Sequence, residues 1–505
     1  MTGDPTTPTK SLCPKCLRVI DADVLPSDGQ LIIRKTCPEH GQFQDIYWSN
    51  YDLYTKFMRY ERSGPRLENP RTETKHGCPY DCGLCPSHET PTVLANIDIT
   101  NRCNLRCPIC FANAAESGYV LEPSIEEIRQ MLLNLRSNRP FPCPSVQFSG
   151  GEPTVREDFP EIVAMAREVG FPQVQVATNG VMLAKDPAYA AKLKAAGLST
   201  VYLQFDGVTE RPYLIARGYN ALPQKLQAVE NCEKAHLGIV LVPTLVKNVN
   251  DDQLGGMIDF GVNHITVVRA LNIQPESFTG RTDLQNLAAQ RITIPDVLKR
   301  IEEQTGGEIG VDDFYPVPFV APVSEFVSAW SQRHQVEFTC HPACGAATYI
   351  FVTDGKRIPI TRFVDVEGFL DYLANLSTKL REHPGRLTKS RVLLSIARSF
   401  GKFVDEEKKP AGLKVRSLML SILGSGTYSS LGEFHSKTMM IGAMHFMDPF
   451  NFDLERVRKC AIHYATPDGR IIPFCTYNSV HRRNVESKLG VPLEEWNARK
   501  GAKGG

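Results

Sequence analysis

Between Thr92 and Arg269 the chain repeats one unit, an apolar strand-like run followed by a segment of helical period, and this alternation restricts the possible folds more than any other feature. The strand-like runs are Val93–Thr100, Ser145–Ser149, Gln173–Thr178, Thr200–Phe205, Gly238–Val246 and His264–Val268. One intervening helix opens with Ser124-Ile-Glu-Glu127, a pattern in which serine and glutamate satisfy the first free amides. Repeated strand–helix units predict a parallel sheet or barrel. Ligands of such folds sit at the C-terminal ends of the strands, so chemistry is expected in the residues that follow each strand.

The 505 residues, 42% of them hydrophobic, suffice for two or three domains. Lysine and arginine number 57 against 56 for aspartate and glutamate, so no overall field draws the chain to nucleic acid, and none is expected as a partner. No apolar run approaches the roughly 20 residues of a membrane span. The N-terminal MTGDPTTPTK lacks the apolar core of a signal peptide, and a cytoplasmic location is expected. The fifteen cysteines fall largely into CxxC and CxxxC groups. That spacing suits metal ligation in a reducing compartment, because a disulfide across it would be strained.

Directly after the first strand comes Thr100-Asn-Arg-Cys103-Asn-Leu-Arg-Cys107-Pro-Ile-Cys110. Three thiolates can hold three irons of a [4Fe-4S] cube and leave the fourth without a protein ligand. S-adenosylmethionine (SAM) can chelate that open iron, and one electron then releases a 5′-deoxyadenosyl radical. A zinc knuckle or a ferredoxin loop would carry a fourth Cys or His close by. At the next strand ends stand Gly150-Gly151-Glu152, where glycines admit a ligand and the carboxylate can accept from an ammonium, then Asn179, suited to a ribose, then Gln204 and Asp206. Each alone reads as an ordinary turn; in order at successive strand ends they describe a SAM cleft.

The cysteine loop, the GGEP turn and the six strand–helix units resemble the radical SAM superfamily over roughly Thr92 to Asn272. The resemblance implies a partial (β/α)6 barrel, Cys103, Cys107 and Cys110 as ligands of the catalytic cluster, and Glu152 and Asn179 near SAM. Domain boundaries are expected at 1–90 for a cysteine-rich metal-binding region, 91–275 for the radical SAM core and 276–505 for a C-terminal auxiliary-cluster and substrate-binding domain.

Further metal sites are expected. Cys13-Pro-Lys-Cys16 and Cys37-Pro-Glu-His40 resemble halves of a rubredoxin-like or zinc-ribbon site, with His40 or a later cysteine as fourth ligand and a mononuclear iron or zinc bound. Cys78, Cys82 and Cys85, flanked by His76 and His88, repeat the CxxxCxxC spacing ahead of the first strand and read as an auxiliary cluster. Cys340, Cys344, Cys460 and Cys475 form a candidate four-ligand set, with a Pro-Asp-Gly hairpin bringing the last two together. Cys143 and Cys232 stand alone and read as buried thiols. An iron-sulfur carrier without catalysis would gain nothing from an open iron.

The runs Arg391–Phe403 and Leu413–Leu423 mix basic and apolar residues, the pattern of core helices, membrane-surface segments or tunnel linings. Asp81-Cys-Gly-Leu-Cys85, Met444–Asp453, Cys460 and His463–Cys475 are similar to the archaeal tetraether lipid synthases. That resemblance implies coupling of terminal methyl carbons of phytanyl chains, archaeol-type membrane lipids as substrate, auxiliary clusters, an unnamed electron donor and peripheral contact at the inner membrane face. The alternative is a radical SAM methyltransferase acting on a pterin precursor of methanopterin.

Overall fold

A computed structural model describes residues 6–282, 287–353, 355–410, 413 and 437–501. Part of the linker expected at Glu406–Gly412 and nearly all of the basic-apolar run Leu413–Leu423 lie outside the described residues. The first basic-apolar run forms a helix, Arg386–Ser399, that buries Val392 and Ile396 in a satellite core.

The centre is a parallel sheet in which Leu94–Thr100, Ser145–Gly150, Gln173–Thr178, Thr200–Gln204, Gly238–Val242 and Val268–Pro275 lie side by side in chain order. Strand alternation sorts the first of these: Ala95, Ile97 and Ile99 are fully buried against helix Ile125–Arg136, while Asn96 and Asp98 point the other way. The helix begins at the expected capping box, Ser124 bonding the Glu127 amide and Glu127 bonding back to the Ser124 amide. Burial of each large side chain such as Phe148 or Phe159 stabilises the fold by roughly 1.5–3 kcal/mol.

Two expectations are corrected here. The sixth strand is Val268–Pro275, not His264–Val268, because His264 caps the helix Leu254–Asn263 and the chain turns through Val267 before pairing. The boundary at 275 falls within one sheet. Thr438–Met444 pairs in parallel with Val268–Pro275, Ile462–Ala465 pairs in parallel with Leu94–Thr100, and Gly345–Thr353 adds to the edge in the antiparallel sense. The C-terminal segment therefore completes the central sheet from both sides.

The N-terminal region is a four-stranded antiparallel sheet, Thr7–Leu12, Val19–Ser27, Gln30–Cys37 and Gly41–Trp48. Metal is not its sole support: Ile33, Tyr47 and Trp48 are buried in the main core.

Candidate active site and cysteine clusters

At the C-terminal ends of the central strands lies a cavity of about 250 Å³ lined by Cys103, Cys107, Cys110, Gly150, Gly151, Glu152, Asn179 and Gln204. Burial pushes the Cys103 thiol up to about 12 and also raises Cys107. The three cysteines line one side of this single cavity, as ligands of separate corner irons of a cluster would.

Backbone contacts hold the loop in place. A Cβ on Gly151 would meet the Arg102 carbonyl at 2.3 Å, and one on Gly150 would meet the Thr100 carbonyl at 2.0 Å. The glycines thus let the second strand end press against the base of the cysteine loop, with Gly151 donating to the Thr100 carbonyl (2.7 Å) and Glu152 to that of Arg102 (2.8 Å). From the other side, Cys110 and Arg281 exchange backbone hydrogen bonds of 2.9 Å, and the Arg281 side chain donates to the Cys107 carbonyl at 3.1 Å.

The expected strand-end residues divide by role. Glu152 is buried, and its Oε1 accepts from the Thr154 amide and from the hydroxyls of Thr154 and Thr178. Among the described residues its Oε2 accepts only from the Asn179 amide, at 2.7 Å, so that oxygen retains capacity for a donor in the cavity. Asn179 donates to Asn104 of the cysteine loop at 2.7 Å. Asp206 is fully buried behind the cavity, bonded to Arg217 and Gln204. It acts through Arg217, which donates to the Ile109 carbonyl at 2.9 Å between two loop cysteines. Lys225, also buried, donates to the Asn179 carbonyl and to Gln204 Oε1. Sequence reasoning missed Arg217, Lys225 and Arg281, which no local motif marks.

The inward positions of the strands form a floor of neutral polar groups: Asn96, Gln147, Tyr202 and Gln274. Gln147 donates to Asn96 and Gln175 to Gln147, each at 2.7 Å. Aromatic rings wall the same cavity, with Phe446 stacked on Phe474 at 4.0 Å between centroids. The clue was present as polar residues at every second position, Asn96 and Asp98, Gln147 and Ser149, Tyr202 and Gln204, Asn272 and Gln274.

Cys13, Cys16, Cys37 and His40 bring their ligand atoms together, with Cys16 Sγ 3.9 Å from Cys37 Sγ and His40 Nδ1 3.6 and 3.5 Å from the sulfurs of Cys13 and Cys37. A tetrahedron of about 2.3 Å metal–sulfur bonds has edges of about 3.8 Å, so these residues fit a single zinc or iron ion. The fourth ligand position falls to His40. Cys78, Cys82 and Cys85 surround a small cavity with His88, Val457, Arg458 and Pro473. Asp81 shapes this turn, accepting from the amides of Lys75, His76 and Gly77 at 2.5–2.7 Å.

Cys340, Cys344, Cys460 and Cys475 converge, the hairpin Ile462–Ala465 and Ile471–Pro473 joining the last two. Burial raises Cys340, Cys460 and Cys475, and their neighbouring thiols in this set add to the rise. Beside them Arg456, 1% exposed, leaves Nε and Nη1 without hydrogen-bond partners among the described residues, and His445 Nδ1 is likewise unpaired there. A buried cation with orphaned donors fits an anionic group held by these thiolates. Cys143 and Cys232 are fully buried single thiols, as expected.

Comparison with known proteins bears on this site. Residues 97–261 match the model of the radical SAM superfamily, and residues 6–49 that of the HMPTM N-terminal zinc ribbon domain. The chain is 54% identical to "7,8-dihydro-6-hydroxymethylpterin dimethyltransferase" of Methanocaldococcus jannaschii over 97% of its own length and 96% of the relative's. It is 37% identical to Fe-coproporphyrin III synthase of Methanosarcina barkeri over 34% of this chain and 43% of that one. A solved structure of Streptococcus suis SuiB with precursor peptide SuiA aligns with a TM-score of 0.36 at 16% identity, covering 43% of this chain and 46% of that one. The full-length relative carries the name of a pterin dimethyltransferase, which overturns the expected coupling of phytanyl chains and the archaeol-type lipid partner. No helix among the described residues is long and apolar enough to cross a membrane.

Proposed function

The chain belongs to the radical SAM superfamily and, within it, to the family of the Methanocaldococcus jannaschii dimethyltransferase, and from that premise we propose that it methylates a reduced hydroxymethylpterin by radical chemistry. Its cofactors are a [4Fe-4S] cluster and SAM, and the zinc ribbon adds a mononuclear metal. When bound, the cluster and SAM would supply a 5′-deoxyadenosyl radical able to take hydrogen from a pterin carbon, and a second SAM or another one-carbon donor would supply the methyl group that replaces it, with electrons from the external reductant.

The chain's own residues prepare the site for that chemistry. Cys103, Cys107 and Cys110 would hold three irons, and the cysteine loop is fixed between Arg217 on one side and Arg281 on the other. Glu152 Oε2 and the Gly150–Gly151 turn rim the space for the cosubstrate. Phe446 and Phe474 exclude water from the reacting centre, which protects a radical from side reactions. Cys340, Cys344, Cys460 and Cys475 would hold one auxiliary cluster, and Cys78, Cys82 and Cys85 another.

One observation carries the substrate reading: the cavity that meets the cysteine loop is floored by uncharged amides and hydroxyls and walled by aromatic rings. A flat, neutral heterocycle can pack on the rings and offer an acceptor to Asn96 Nδ2, which has no partner among the described residues, whereas a hydrocarbon chain would leave that donor unpaired. The test is anaerobic incubation of the reconstituted protein with SAM, a strong reductant and 7,8-dihydro-6-hydroxymethylpterin, followed by mass spectrometry of the pterin. Methylated product supports the reading; a pterin recovered unchanged while SAM is cleaved overturns it.

A further inference from the structure

Asn96, Gln147 and Gln175 occupy matched positions on three adjacent parallel strands, Asn96 opposite Gln147 and Gln147 opposite Gln175. Strand spacing therefore places their amides in a row. The hydrogen bonds of the row run in one direction, from Gln175 Nε2 to Gln147 Oε1 and from Gln147 Nε2 to Asn96 Oδ1. Asn96 is 1% exposed and lines the cavity, yet its Nδ2 has no hydrogen-bond partner among the described residues. On the next strand the residue opposite Asn96 is Tyr464, whose ring is packed between Phe474 and Tyr477. The row thus ends in a buried amide of the cavity lining whose Nδ2 has no acceptor among the described residues.

A buried donor without an acceptor is costly to leave in a folded chain, and Gln147 prevents the Asn96 amide from hiding it by fixing its oxygen. We propose that Asn96 is a specificity-determining residue that donates from Nδ2 to a carbonyl oxygen or ring nitrogen of the bound heterocycle, with Gln147 and Gln175 as positioning residues. The proposal rests on the pterin reading above and adds to it the contact that selects the ring. A pterin offers such acceptors in its ring plane. A site that must pair a buried donor rejects ligands lacking an acceptor far more strongly than an apolar pocket rejects a misfit.

The experiment measures equilibrium binding of 7,8-dihydro-6-hydroxymethylpterin to the cluster-loaded, SAM-bound protein and to its Asn96→Leu and Asn96→Asp variants. Asn96→Leu removes the donor, and Asn96→Asp replaces it with an acceptor. Iron content and SAM binding are recorded alongside. At least a tenfold loss of pterin affinity in both variants, with iron content and SAM binding unchanged, is expected. Undiminished affinity in Asn96→Leu overturns the inference and leaves the pterin reading standing, as does a loss that tracks lost iron or SAM. Failure of the unaltered protein to bind the pterin overturns that reading, and this inference with it.

Discussion

Arg217 grips Asp206 through two hydrogen bonds, 2.8 Å from Nε and 2.7 Å from Nη2, and with Nη1 reaches the carbonyl of Ile109 at 2.9 Å. The end of the fourth central strand is thereby tied to the loop that carries Cys107 and Cys110. Both partners are buried, and removing one member of a buried pair costs about 3–5 kcal/mol because the other charge is stranded. Arg217→Met is expected to lower the melting temperature and to lose the iron of the Cys103–Cys110 cluster on reconstitution while the other cysteine sets keep theirs, measured by thermal denaturation and iron analysis. Asp206→Asn, which keeps the shape, retains more iron. Equal iron loading in Arg217→Met and the unaltered protein contradicts the brace.

Gly151→Ala and Gly280→Ala test the packing around the cysteine loop. An added methyl at Gly280 would lie 2.3 Å from the Cys110 carbonyl, and Gly280 also has φ of +68°, so backbone must move. Each variant is expected to lose the part of its cluster absorbance that belongs to Cys103, Cys107 and Cys110, and with it SAM cleavage, while metal analysis of the separate N-terminal site shows it still filled.

The N-terminal ribbon is coupled to the cavity through Lys35, which lies on the same strand as Cys37 and donates to Ser11 (2.9 Å) and to the Pro449 carbonyl (2.7 Å). Pro449 adjoins Asp448, which is locked to Arg291 at 2.6 Å, and follows Met447 of the cavity lining. Removing the ribbon metal by chelation or by Cys16→Ser is expected to lower the melting temperature and to weaken pterin binding a fewfold. The iron held at Cys103, Cys107 and Cys110 should remain. Calorimetry and equilibrium binding check the two effects.

Lys225 supplies a pH test. Burial pushes its ammonium from 10.5 down to about 8, with Asp206 pulling the other way. Between those values the unfolded chain binds the proton and the native chain does not, so native stability gains with rising pH in that window. Lys225→Met lacks this term. The melting temperature of the variant minus that of the unaltered protein is therefore expected to be larger at pH 7 than at pH 9.5, by a few degrees. A difference independent of pH contradicts the buried ammonium.

Features written in short stretches of chain were legible in the sequence. The strand–helix alternation, the Ser124 capping box and the cysteine groups each depend on neighbours within a few residues, and Glu152, Asn179 and Gln204 line the cavity because they follow successive strands. What depends on register or distant pairing was not legible. Asn96 meets Gln147 only through the parallel register of two strands, and Arg281 meets Cys110 across 171 residues. The sixth strand was misplaced because His264–Val268 has strand-like composition but is spent on capping and turning. The basic-apolar run Arg391–Phe403 is amphipathic in the structure, with Val392, Ile396 and Phe400 in a satellite core and Leu393 and Leu394 exposed.

The most direct measurement of the central claim is 5′-deoxyadenosine released from SAM under strict anaerobiosis and strong reduction, with and without 7,8-dihydro-6-hydroxymethylpterin, in the unaltered protein and in Cys107→Ala. The account predicts that the pterin stimulates release and is itself methylated, and that both signals vanish in Cys107→Ala. Release that persists in Cys107→Ala, or that ignores the pterin and leaves it unmodified, would contradict it.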